Sequence, residues 1–372
     1  MKILPCIALC LAGVVSAAEL PSRADISLLQ EVARSRERAQ AWLVKQQSPD
    51  GSWRSHPGIT GLALTALCRG QKPPQDAIDH AVKFILSNVR SNGAIYGNNE
   101  TDKYPNYSTA ICAMALQATG KPEVAETVKN ARRFLLGSQF DESEDTKPDN
   151  TSYGGIGYGK RERPDLSNTQ WALEAIRLTE SIEDTRLQWK KAVAFLQRCQ
   201  NLPAHNDQPW AKNVRESDVG GFVYMPGLSF ADEEPPDDEK TPLRSYGSIT
   251  YAGLKSYIYA ELAKDDPRVT AAIEWLKKHY TFDENPGMGG QGLYYYLHTV
   301  AKALTVYGDD TFTDAIGRKH DWRHELMNKY VVLQKADGFW QNDNNRWWEN
   351  DPVLFTSYSL IALHILQARR YP

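Results

Sequence analysis

An aromatic–aliphatic pair recurs along this chain, each time late in a helical pattern and each time followed by a glycine turn and then a threonine. The pairs are Trp42-Leu43, Phe84-Ile85, Phe134-Leu135, Phe195-Leu196 and Trp275-Leu276, with a sixth, degenerate copy at Tyr330-Val331. Gln47, Gln139 and Gln200 follow the Leu by four residues in copies one, three and four, and Gln334 stands in the sixth. The turns are Asp50-Gly51-Ser52-Trp53, Asn92-Gly93, Gly154-Gly155, Gly220-Gly221, Gly289-Gly290 and Asp337-Gly338-Phe339-Trp340. Glycine supplies the positive φ that a chain leaving a helix needs there. Self-similarity at this scale marks a repeat architecture, in which each unit buries its apolar face only against its neighbours.

A second helix follows each turn, aligned on Thr60, Thr109, Thr169, Thr250, Thr299 and Thr356. Three residues on, the side chain is small (Ala63, Cys112, Ala172, Gly253, Ser359), except at Lys302. Aliphatics follow at four and seven residues, as in Leu64 and Leu67 or Leu360 and Leu363, and this spacing is helical. These second helices are apolar nearly all round, which predicts burial on most faces. The first helices are amphipathic: Val32, Ala39, Trp42 and Leu43 share one side, and Arg34, Arg36, Glu37, Arg38 and Lys45 take the rest. Six such pairs close most naturally into a double ring that leaves neither end of the stack open. The expectation is an all-α fold, an α/α toroid or (α/α)6 barrel of about twelve helices.

The N-terminus reads as a targeting segment. Met1-Lys2 precedes an apolar stretch, Ile3 to Val15, and Val15-Ser16-Ala17-Ala18 offers small residues for cleavage. A signal peptide over 1–17, one toroid domain over 18–372 and export to the periplasm or exterior are therefore expected. A lipoprotein reading at Cys10 is disfavoured by bulky Leu9. No later run is long and apolar enough to span a bilayer. The net charge is −3 with no basic block, which argues against a nucleic-acid partner. Cys68, Cys112 and Cys199 would remain after cleavage, odd in number and in apolar helical patterns. They read as buried core residues.

Gln47 with Gly51 and Trp53, and Gln334 with Gly338 and Trp340, resemble the glutamine–tryptophan repeats of squalene and hopene cyclases. With the threonine-aligned helices, the chain resembles the terpenoid cyclase and protein prenyltransferase β-subunit superfamily over nearly its whole length. That resemblance implies two motifs, and both are degenerate. Where class II cyclases carry Asp-x-Asp-Asp-Thr, this chain has Asp165-Leu166-Ser167-Asn168-Thr169, with Ser167 in place of the alkene-protonating Asp. Serine is too weak an acid for that step. Where the prenyltransferases hold zinc, Tyr246 and Ser248 replace Asp and Cys, and only His298 is kept. One histidine does not hold a catalytic zinc. Neither standard chemistry is expected, and no cofactor or metal is implied.

In such a toroid the residues just before the aligned threonines line one mouth of the cavity. They include His56, Tyr107, Ser108, Asp165, Ser167, Asn168, Tyr246, Ser248, Tyr295 and His298. Helix N-termini there would suit an anionic or hydroxylated ligand. The alternative is that these polar residues cap the helices themselves. Asp165 and His298 are the candidates for catalysis. Trp347-Trp348 reads as an exposed rim, and Asp232 to Glu239 and Asp141 to Asn150 as solvated insertions flanking the same mouth.

Three functions stay open. The first is an exported protein holding an isoprenoid or other lipid-like small molecule, with any catalysis of the isomerase or transferase kind. The second is a non-catalytic scaffold for a protein partner. The third is a carbohydrate-active, lyase-like enzyme, which needs Arg161, Arg163, Arg244 and His298 to converge.

Overall fold

A computed structural model describes residues 23–98, 104–159, 162–179 and 186–368. The expected signal peptide and its cleavage site lie outside them, as does Arg161. Among the described residues twelve α-helices alternate along the chain between two layers. The outer helices are α1 (Arg23–Lys45), α3 (Gln75–Ser87), α5 (Ala125–Leu136), α7 (Arg186–Arg198), α9 (Pro267–Lys278) and α11 (Trp322–Leu333). The inner helices are α2 (Pro57–Cys68), α4 (Pro105–Ala118), α6 (Leu166–Leu178), α8 (Gly247–Tyr259), α10 (Leu293–Tyr307) and α12 (Pro352–Ala368). Each inner helix packs on the next, and α12 packs back on α2, while α11 meets α1 outside. The ring is closed, and the fold is an α/α toroid.

The repeat residues make this closure physically. In five copies the threonine hydroxyl accepts the backbone N–H two residues after the turn glycine. The pairs are Thr60 with Trp53 (3.0 Å), Thr109 with Ile95 (2.8 Å), Thr169 with Ile156 (2.9 Å), Thr250 with Phe222 (3.0 Å) and Thr356 with Trp340 (3.1 Å). All five hydroxyls are buried, so each satisfies an amide that water cannot reach. Copy five departs: Thr299 instead donates to the Tyr295 carbonyl of its own helix at 2.7 Å.

The glutamines join one unit to the next. Gln200 donates to the carbonyls of its own turn residue Gly220 (3.0 Å) and of Arg268 in α9 (2.9 Å). Gln47 does the same to Gly51 and Ala77, both at 2.9 Å. Gly154 shows why the turns are glycine: its φ is +86°, and a Cβ there would stand 1.8 Å from the Lys191 carbonyl oxygen of α7. The turn must seat itself directly against the next outer helix. Trp53 and Trp340 fill the space behind, their indole N–H groups donating to Leu43 and Tyr330 carbonyls at 2.8 Å.

The inner helices depart from the expected all-round apolarity at one level. Glu174, Lys255 and Lys302 are buried together inside the ring, which accounts for Lys302 at a position that is small elsewhere. The insertion at 141–150 is held to α7, where Lys191 reaches Asp141 (2.7 Å) and Arg198 reaches the Asn150 carbonyl (2.7 Å). Neither it nor the 232–239 insertion borders the central cavity. Among the described residues, no helix is long and apolar enough to cross a membrane.

Candidate functional site

A cavity of about 320 Å³ opens at the N-terminal ends of the inner helices. Seven tyrosines, two phenylalanines and two tryptophans line it, together with Ile59, Leu62, Ile111, Ile249 and Leu354. The repeat brings side chains here from every inner helix, because each enters its first turn at the same level. His56, Tyr107, Ser108, Ser167, Tyr246, Ser248 and Tyr295 all stand in the wall. Asp165, Asn168 and His298 do not border it.

Those three have structural partners instead. Asp165 is the N-cap of α6, accepting from Asn168 through its backbone N–H (2.8 Å) and its side-chain amide (2.7 Å). Burial raises the Asp165 carboxyl to about 6, against the pull of the Asn168 amides and Tyr224. It lies behind Tyr158 and Tyr224, whose hydroxyls meet at 3.2 Å. His298 sits deep in α10, stacked near Trp171 and Tyr358. Its Nδ1 is 3.2 Å from the Tyr358 carbonyl, an oxygen that can only accept, so Nδ1 carries the proton. Burial, and then the neighbouring Lys302 ammonium, hold the ring well below its usual value. His298 is a neutral packing residue.

Side chains also take the N-termini of five inner helices that could have met an anion, while α4 has no side-chain cap. The His56 ring accepts from Ile59 N–H in α2, and the Asn285 side chain accepts from Ser248 N–H in α8. Asp351 accepts from Val353 N–H in α12 and also pairs with Arg54 at 2.7 Å. With Asp165 on α6 and Glu349 on α10, the capped amides leave an aromatic mouth.

Glu349 is the residue that sequence reasoning passed over. It is fully buried, yet it borders the cavity, and it accepts from Tyr294 N–H (3.2 Å) and the Asn342 amide. Burial raises its carboxyl to about 7, opposed by Asn342 and by the backbone N–H groups of Gly292, Tyr294 and Leu293. The only sequence signal was its place beside Trp347-Trp348; nothing local marked it as buried. The two tryptophans form the rim, 42% and 45% exposed, with Trp348 edge-on to His56 and Trp347 against Phe230. Both adopt positive φ, 55° and 63°, a strained backbone held by the loop around them. Ser167 faces the Tyr295 hydroxyl at 3.5 Å, and the neighbouring Asp165 carboxyl does not border the cavity.

The basic groove needed by a lyase is not assembled among the described residues. Arg163 binds the Pro226 carbonyl, Arg244 lies outside the cavity wall and His298 is buried beneath it. No group of three or more His, Cys, Asp or Glu side chains gathers at metal-binding geometry among the described residues.

Residues 56–222 match the family model of the squalene-hopene cyclase C-terminal domain. No curated protein matches the chain. Among solved structures, the type II terpene cyclase MstE from Scytonema is similar at 13% identity and TM-score 0.55, over 90% of this chain and 98% of that one. A variant of MstE in complex with its substrate geranylgeranyl dihydroxybenzoate is similar at 12% identity and TM-score 0.54, over 92% and 98%. D-mannose isomerase is similar at 10% identity and TM-score 0.58, over 94% and 99%. At these identities the likeness is one of fold.

Proposed function

We propose that this chain, which carries the toroid of the terpenoid cyclase superfamily, binds an isoprenoid or other lipid-like molecule in its aromatic cavity. The observation that carries this reading is the wall itself: eleven aromatic rings and a few aliphatic side chains around 320 Å³. That volume lies at the low end of the roughly 300–1,000 Å³ range of small-molecule sites. It favours a short isoprenoid over a triterpene. The complex of MstE with a geranylgeranyl compound supports the same ligand class. Ser167 in the donor's place argues against standard class II cyclisation. The N-terminal sequence supports export, which N-terminal sequencing of the released protein tests.

The test is titration of the purified protein with farnesol, geranylgeraniol and squalene, followed by tryptophan fluorescence and thermal shift. Saturable binding of the shorter prenols, weakened about tenfold by Trp348→Ala, is expected. A flat response to all three compounds overturns the reading.

Glu349 favours a second reading, acid catalysis in the same cavity. A carboxyl with its pKa near 7 is part protonated at neutral pH, where such an acid is most effective. Its proton would pass to an alkene carbon, leaving a carbocation that the rings stabilise and a carboxylate held by the α10 amides. Loss of a neighbouring C–H proton from the cation restores the acid. The net change is an isomerisation or cyclisation that needs no co-reactant. Product analysis after incubation with farnesol, with Glu349→Gln as the inactive control, tests it.

A further inference from the structure

At the opposite end of the ring, a second cavity of about 40 Å³ is bordered by Thr65, Arg69, Trp171, Glu174 and Lys302. It lies where the inner helices end, with Arg69 the C-cap of α2 and Leu178 the last residue of α6. Trp171 borders it, and its ring meets Tyr107 and Tyr358 of the aromatic cavity as well as the Lys302 ammonium. The two spaces share Leu62 and Ile111, and the second adds the charged Arg69, Glu174 and Lys302 to a wall that also holds Met114, Leu178 and Ile361.

The charges in this region do not balance. One Glu174 carboxylate receives two ammonium groups, Lys255 at 2.5 Å and Lys302 at 2.7 Å. Both lysines are buried, Lys302 at 9% exposure on the cavity wall. Arg69 adds a further cation at the exposed edge and has no partner among the described residues. A buried charge without a counter-charge is costly, and one carboxylate cannot neutralise two ammonium groups. Burial lowers Lys255 and takes Lys302 to about 8, each opposed by Glu174, so Lys302 is still mainly a cation at neutral pH. The Trp171 face at 4.4 Å offsets part of the charge. The C-terminal ends of α2 and α6 add partial negative charge here and offset a further part.

We propose that this second cavity is a binding site for a small anion, held between Lys302 and Arg69. Its size sets the class: a single water needs about 10–15 Å³, so about 40 Å³ admits a halide or bicarbonate-sized anion and no larger group. The edge at Arg69 gives entry from solvent. This site is independent of what fills the aromatic cavity.

Calorimetric titration of the purified full chain with sodium bromide and sodium bicarbonate, and anomalous diffraction from bromide-soaked crystals, test it. Saturable millimolar binding and a bromide peak beside Lys302 are expected. Lys302→Met, which leaves Glu174 paired with Lys255, weakens binding at least tenfold. Glu174→Gln, which removes the competing carboxylate, tightens it. Arg69 is exposed, so Arg69→Ala folds regardless and weakens binding several-fold. Absence of saturable heat, bromide elsewhere but not at Lys302, or unchanged affinity in Arg69→Ala overturns the proposal.

Discussion

The side-chain amide of Gln334, in the last outer helical unit, donates to the backbone carbonyl of Ser35 in the first at 2.8 Å. The same amide holds the Gly338 carbonyl at 2.9 Å, so one side chain ties the final turn to the helix that began the ring. Residues almost 300 positions apart thus meet through the contact that Gln47 and Gln200 make between neighbours. Gln334→Ala leaves two carbonyls short of a donor. A loss of about 1–3 kcal/mol follows, read as a lower midpoint in urea unfolding. A loss below about 0.3 kcal/mol would show that closure rests on packing alone.

The threonines are equivalent in sequence but unequal in the fold. Thr169→Val strands the buried Ile156 N–H and is expected to cost about 1–3 kcal/mol. Thr299→Val removes only a bond within α10 and is expected to cost less than about 1 kcal/mol. Equal losses in the two variants would contradict the role assigned to the hydroxyl.

Stability should depend on pH through Glu349. Its folded carboxyl titrates near 7, above the ordinary carboxylate value, so the folded state holds the extra proton in between. Stability therefore falls as pH rises through that window, by up to about 3 kcal/mol. Asp165, raised to about 6, acts in the same direction at lower pH. Glu349→Gln should flatten the upper part of the curve, between about pH 6 and 7.5, in thermal melts.

The rim tryptophans should act on ligand and not on fold. Trp347 and Trp348 are nearly half exposed, so Trp347→Ala and Trp348→Ala are expected to leave the melting temperature within a few degrees of the parent. Affinity for farnesol should drop by about tenfold in Trp348→Ala, because its ring closes the mouth over His56. Unchanged affinity in both variants would place the ligand elsewhere.

Asp165→Asn separates capping from chemistry. Asparagine caps a helix about as well as aspartate, so α6 should keep its start, with a change of about 1 kcal/mol or less. Prenol affinity should not change, since Asp165 does not border the cavity. A large loss of binding would return Asp165 to the site.

The repeat made the architecture legible. Positive-φ turns at Gly51, Gly93, Gly154, Gly220 and Gly338, with threonines and glutamines at fixed offsets, are local requirements imposed on every unit. A local requirement leaves its mark in the sequence wherever it recurs. The same register placed His56, Tyr107, Ser167, Tyr246, Ser248 and Tyr295 at one level of the ring, and the cavity wall contains all six. What no spacing could reveal was direction and company within that level. Asp165 turned back to cap its own helix, and His298 faced Trp171 and Tyr358. Glu349 came from a loop that looked exposed, to be buried at the start of a helix more than fifty residues earlier. Lys302 broke the small-residue pattern because its partners, Glu174 and Lys255, come from two other helices. Such pairings depend on which helices the closed ring sets side by side, and burial then decides which charges must find one another.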